Sequence, residues 1–159
     1  MRAANSFMDN IGNVQNADAA IINRYTGEVR VLRAYYYSRL AMLYGDVPLV
    51  TTTLSLPESK AVTREPVSNV WDFISKELTE AAAQLPNAYT AATDKGRVTK
   101  ATAFAVKARA MLHAGRFQEA ADAASLVMAM PEYGLYPTYK SLSRQRQKAI
   151  KKLFSMFSS

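Results

Sequence analysis

Residues 99–130 read TKATAFAVKARAMLHAGRFQEAADAASLVMAM. Thr99 is suited to cap a helix that runs to Ala114, because a threonine hydroxyl can accept from an amide of the first turn. Gly115 breaks that helix, and another runs from Phe117 to about Met130 before Pro131. Small residues dominate both: Ala103, Ala105, Ala108 and Ala110 on the first, Ala120, Ala123, Ala124 and Val127 on the second. With Gly115 and Phe117 at the turn Ala114-Gly115-Arg116-Phe117, they predict a closely packed antiparallel pair.

Upstream the period stays helical. Between Gly27 and Tyr44, the residues Val29, Leu32, Tyr36, Leu40 and Leu43 recur at steps of three and four, placing them on one face of a helix. Gly45-Asp46-Val47-Pro48 stops it. From Pro66 to Leu85, Val70, Phe73, Ile74, Leu78, Ala81 and Leu85 share a face, with Pro66 suited to the first turn and Pro86-Asn87 ending the helix. A shorter amphipathic helix is predicted over residues 2–14. Two long connections, 45–65 and 86–98, are rich in Thr, Pro and Ala, and the apolar run Asp46-Val47-Pro48-Leu49-Val50 should lie against the helices. The fold class is all-α, built of antiparallel helix pairs with two long irregular loops and little or no sheet.

The 159 residues, 49% hydrophobic and 21% charged, suffice for one globular core. No Cys and a single His exclude disulfides, thiolate metal sites and multi-His centres, so no metal and no cofactor is expected. The net charge of +7 suggests nucleic acid until it is located. Lys140, Arg144, Arg146, Lys148, Lys151 and Lys152 carry six of the positive charges, leaving residues 1–139 with 14 basic and 13 acidic side chains. A short basic tail reads as a solvated end, and no nucleic-acid partner is assigned. No apolar run approaches the ~20 residues that span a bilayer.

The turn at Gly115, with Phe117 and Ala120 after it, resembles the tetratricopeptide unit, in which small residues let two helices approach. Residues 27–44 and 66–85 look like a degenerate copy with a long insertion in its turn. A generic helical bundle is the plain alternative.

More specific is the run from Gly27-Glu28-Val29-Arg30-Val31-Leu32-Arg33-Ala34-Tyr35-Tyr36-Tyr37 to Leu43-Tyr44-Gly45-Asp46-Val47-Pro48-Leu49-Val50. It is followed by Arg64, Trp71-Asp72-Phe73-Ile74, Leu85-Pro86, Gly96-Arg97-Val98-Thr99-Lys100 and Tyr133-Gly134-Leu135-Tyr136-Pro137-Thr138-Tyr139. The combination resembles the SusD/RagB family over roughly residues 2–142. That resemblance implies a non-catalytic, surface-exposed outer-membrane lipoprotein for capturing glycans or other nutrients, with a SusC-like TonB-dependent transporter and an oligosaccharide as partners. It also implies that this chain is the tetratricopeptide-like helical scaffold of a longer protein, much of whose ligand-contacting surface lies elsewhere. As given, the chain lacks the signal peptide and lipidated Cys of the family and would stay cytoplasmic. Its uncovered apolar surface should favour self-association.

Residues 1–142 are thus read as scaffold and 143–159 as a divergent basic tail. One codon choice for Lys148 to Ser159 has a shifted frame reading Ser-Asn-Lys-Glu-Val-Ile-Phe-Asn-Val-Gln-Phe, similar to the family's Asn-x-Glu-x-Ile-Phe strand. The tail is therefore read as frameshifted, and the coding DNA should continue the family sequence in another frame after about codon 142. An unrelated or stop-rich frame would contradict this. The competing reading is a lipid-facing amphipathic helix with Ile150, Leu153, Phe154 and Phe157 on one face.

Residues able to carry chemistry are few. His113 has no Ser or Asp at a recognisable spacing and fits a surface or helix-dipole role. Glu77 and Glu80, three apart, could mimic a carboxylate pair, but a solvated helical face explains them. Arg30 and Arg33 are expected to pair with Glu28, Asp46 or backbone carbonyls. No catalytic residue is assigned. Sugar rings stack on aromatic faces, which makes Trp71, Tyr35, Tyr36 and Tyr37 the ligand-binding candidates. Trp71 is most simply packed inside, and the three consecutive tyrosines must point around their helix, with at least one buried and one exposed. The different-class alternative is a small tetratricopeptide-like adaptor holding a peptide or protein partner in its groove.

Overall fold

A computed structural model describes residues 1–134. The 143–159 tail, its boundary at 142, its suggested helix and the segment after Gly134 lie outside the described residues. Six helices follow in chain order: α1 Arg2–Asn10, α2 Ala19–Tyr44, α3 Leu56–Ala61, α4 Val67–Gln84, α5 Lys100–His113 and α6 Phe117–Met128. Among the described residues, extended pairing is confined to one bridge, Val47 with Glu65. α2 packs on α4, α4 on α5 and α5 on α6, which gives the two helix pairs of a tetratricopeptide-like stack.

α2 begins eight residues before the expected Gly27. The Asp18 side chain accepts from the Ala20 amide at 2.8 Å and caps a 26-residue helix. Gly27 therefore lies mid-helix, where it costs helix propensity, and its benefit is contact: a Cβ there would sit 2.9 Å from Leu85 Cγ and 3.2 Å from Gln84 Cβ. Gly27→Ala should destabilise despite a propensity gain of about 1 kcal/mol, because the added Cβ would sit 2.9 Å from Cγ of Leu85, a branch carbon in a buried side chain that cannot swing aside. Gly27→Val should destabilise by about 1–3 kcal/mol, measurable as a lower urea midpoint.

The buried face of α2 differs from the expected one. Val31, Ala34, Tyr37 and Ala41 are buried, whereas Leu32 is 48%, Tyr36 56% and Leu43 65% exposed. Both stripes have helical spacing, and the core takes the one with smaller side chains because α4 lies close there. On α4 the expected face holds: Val70, Ile74, Leu78, Ala81 and Leu85 are buried, with Phe73 packed at their edge. Glu119 on α6 accepts from Ser75 of α4 and pairs with Lys107 of α5 at 3.1 Å. Burial pushes its carboxyl up, but those partners outweigh it and hold it below the ordinary value.

Thr99 caps α5 as expected. Its end is a Schellman turn: Gly115 adopts φ +74° and the Arg116 amide donates to the Met111 carbonyl at 2.9 Å. Ala103, Ala110, Ala120 and Ala123 are buried in the α4–α6 layer, but Phe117 is 67% exposed, so the alanines alone make the close approach. The Asp46–Val50 run does lie against the helices, with Val47 buried, and the Asp46 carboxylate accepts the Val67 amide at 2.8 Å to start α4.

Candidate functional site

Between α2 and α4 lies a charged cluster where a solvated face was expected. Glu77 is only 5% exposed. Its Oε2 accepts from Arg33 Nε at 3.0 Å and Nη2 at 2.6 Å, and its Oε1 from Arg30 Nη1 at 2.6 Å. Arg30 also reaches Glu80 at 2.6 Å. The arginines thus pair with Glu77 rather than with Glu28 or Asp46, because Glu77 shares the buried stripe of Ile74 and Ala81 while Arg33 sits in that of Ala34 and Tyr37. The expected backbone carbonyl is present too: Arg33 Nη1 donates to Thr51 O at 3.1 Å, and to Asn5 Oδ1 at 3.3 Å. Asn5 Nδ2 in turn donates to the Val50 and Thr52 carbonyls. With both Glu77 oxygens on guanidinium groups and Glu80 shared between Arg30 and Lys76, this cluster organises the 45–53 segment and offers no free acid–base pair.

A second cluster holds the other loop. Arg97 grips Glu28 through Nε at 2.9 Å and Nη2 at 2.8 Å, and the Tyr89 hydroxyl lies 3.2 Å from the same carboxylate. The guanidinium groups of Arg24 and Arg97 stand 5.1 and 5.0 Å from the centre of the Tyr25 ring. Tyr133 joins in by donating to the Asn87 carbonyl at 3.0 Å, with the Thr99 hydroxyl 2.9 Å away. The Gly96-Arg97 and Tyr133 motifs are therefore fastenings of residues 86–98.

The four aromatic candidates separate by exposure. Trp71 and Tyr37 are 7% and 2% exposed, so they lie in the core, while Tyr35 at 41% and Tyr36 at 56% face outward. Tyr37 stacks edge-on against Phe73. Its hydroxyl donates to the Val50 carbonyl at 2.9 Å and accepts the Val50 amide at 2.8 Å. Burial pushes this phenol above its ordinary value, against the smaller opposing effects of Val50 and Arg33. Removing both bonds in Tyr37→Phe should cost about 1–3 kcal/mol at neutral pH. Since the folded value lies above the unfolded one, the contribution of this phenol is complete below about pH 10 and fades as pH rises further. Denaturant titrations of both forms at pH 7 and pH 11 should therefore differ less at the higher pH.

Outside the core, α2 and α5 leave a groove of about 530 Å³. α2 contributes Tyr35, Ser38, Arg39 and Met42; α5 contributes Thr102, Ala105, Val106 and Arg109, with His113 at its exposed last turn. Each set follows steps of three and four, so each is a single helical stripe. Arg39 and Arg109 are exposed and form no ion pair among the described residues. Sequence reasoning did not single out either arginine, since a lone Arg on a helix is ordinary until the facing helix is known. Two facing cations beside an exposed tyrosine can hold an anionic or hydroxyl-rich ligand. No group of three or more metal-ligating side chains occurs among the described residues.

Comparison with known proteins gives consistent matches. The sequence profile of SusD-like proteins described as starch-binding and associating with the outer membrane matches residues 1–112. SusD-like protein P2 of Formosa agariphila is 30% identical over 150 residues, covering 92% of this chain and 29% of that protein. A solved SusD-like protein from Bacteroides fragilis superposes with a TM-score of 0.79 at 31% identity, over 84% of this chain and 26% of its own. A solved laminarin-binding SusD-like protein gives 0.77 at 31% identity, over 87% and 31%. The chain spans less than a third of the length of these relatives.

Proposed function

Since this chain belongs to the SusD-like family of starch-binding, outer-membrane-associated proteins, we propose that it is the helical scaffold of a glycan-capturing surface protein that works beside a SusC-like TonB-dependent transporter. Its task is binding, and no catalytic step is assigned to it. The observation that carries this reading is the likeness over 87% of the chain to a laminarin-binding protein. No helix among the described residues is long and apolar enough to cross a membrane.

The fastened loops support the same reading. A peptide-binding adaptor needs only its stacked helices, whereas here buried Arg33 and Asn5 hold residues 50–52 and Arg97 holds the second loop. Those loops are surfaces on which the rest of a larger protein can be built. The exposed stripe of Leu32, Tyr36 and Leu43 fits that role and would drive self-association when uncovered. Mixing the purified tagged chain with detergent-solubilised outer membranes of its host should recover a TonB-dependent transporter, whose gene should lie next to this one. Recovery of peptide-bearing soluble proteins alone would favour the adaptor.

A further inference from the structure

We propose that the α2–α5 groove is a subsite for acidic sugars, taking a uronic-acid unit of an oligosaccharide; this rests on the glycan-capture reading and names a substrate class for it. The groove's size, about 530 Å³, is in the range that encloses small ligands. Its charge is of one sign. Arg39 projects from α2 and Arg109 from α5, both exposed, and no Asp or Glu lines the groove among the described residues. By contrast, Arg30, Arg33 and Arg97 each hold a carboxylate of the chain itself. A guanidinium with no carboxylate partner among the described residues, facing another across a groove, matches the forked geometry of a carboxylate.

The remaining lining suits a sugar better than an extended acidic peptide. Tyr35, 41% exposed, offers a flat apolar face on which the C–H side of a pyranose ring can rest. Ser38, 5% exposed, donates its hydroxyl proton to the Tyr35 carbonyl at 2.7 Å and so ties together the turn of α2 that carries this tyrosine. Ala105 and Ala110 keep the floor low, so a ring can approach the backbone of α5. The two cations then fix the carboxylate, and the tyrosine orients the ring.

The test is calorimetric titration of the whole chain with trigalacturonate, the neutral galactose trimer, a laminarin-derived trisaccharide and hexaglutamate. Trigalacturonate should bind about tenfold or more tighter than the neutral galactose trimer, and its affinity should fall as salt is added. Arg39→Gln and Arg109→Gln, both at exposed positions, should each weaken it about tenfold with an unchanged helical spectrum. Equal affinity for the neutral trimer, indifferent to either substitution, would overturn the acidic subsite while glycan capture stood. Hexaglutamate binding as tightly as trigalacturonate would overturn it in favour of an acidic peptide. Silence from trigalacturonate would overturn it outright, and silence from the laminarin trisaccharide as well would leave glycan capture standing, because a scaffold whose ligand-contacting surface lies largely elsewhere is expected to bind sugars weakly by itself.

Discussion

Glu77→Ala is expected to destabilise the chain by about 3–5 kcal/mol. The carboxylate is 5% exposed and Arg33 equally so, so its removal leaves a guanidinium in the interior with nothing of opposite charge. Arg33 also fastens Thr51 and Asn5, so the loss should spread to the 50–53 segment and to α1. Domains of this size are stable by only about 5–15 kcal/mol, which makes the change a large share of the total. Glu77→Gln keeps the volume and one acceptor and should lose less. Replacing both charges together, as Glu77→Leu with Arg33→Met, should recover much of the loss, because a paired desolvation cost disappears with the pair. Urea titrations of the three variants check the series. A loss below about 1 kcal/mol for Glu77→Ala would mean the carboxylate is solvated.

Trp71→Ala should cost about 3–5 kcal/mol, and the cost should appear in folding rather than in binding. The indole is 7% exposed and belongs to the core cluster with Val70 and Ile74. Truncation leaves a cavity that the α2–α4 contact closes only in part. Tyr35→Ala is the contrast: at 41% exposure it should change stability by less than about 0.5 kcal/mol while lowering sugar affinity. Thermal melting with sugar titration of both variants separates the two roles. A Trp71→Ala chain that melts like the parent but loses sugar would place the indole in the binding face.

These two residues also show what the sequence discloses. Trp71 lies within the apolar stripe of α4, and packing was its simplest reading. Glu77 lies on that same stripe, three residues from Ile74, but a charged residue on a helix suggests water unless its partner helix carries the opposite charge in register. Arg33 does, yet the register between α2 and α4 depends on Gly27 meeting Leu85, a contact 58 residues apart in sequence. α2 carries two stripes of similar spacing, and the larger side chains of Leu32, Tyr36 and Leu43 outweighed Val31, Ala34 and Ala41 in the pattern. Turns and caps were legible because they are local: Thr99, Gly115 and Gly45 each act within a few residues. The α2–α5 groove was not, since its two stripes lie about 70 positions apart and face each other only after the second pair stacks on the first.

Titration of the ¹⁵N-labelled chain with laminarin-derived and galacturonate oligosaccharides, followed by its amide resonances, tests sugar binding in the α2–α5 groove most directly, because it detects even millimolar affinities and assigns them to residues. The account predicts progressive shifts at Tyr35, Ser38, Arg39 and Arg109, with Ile74 and Leu78 in the core unmoved. Amide positions unchanged by every sugar, on a chain that remains helical, would contradict it.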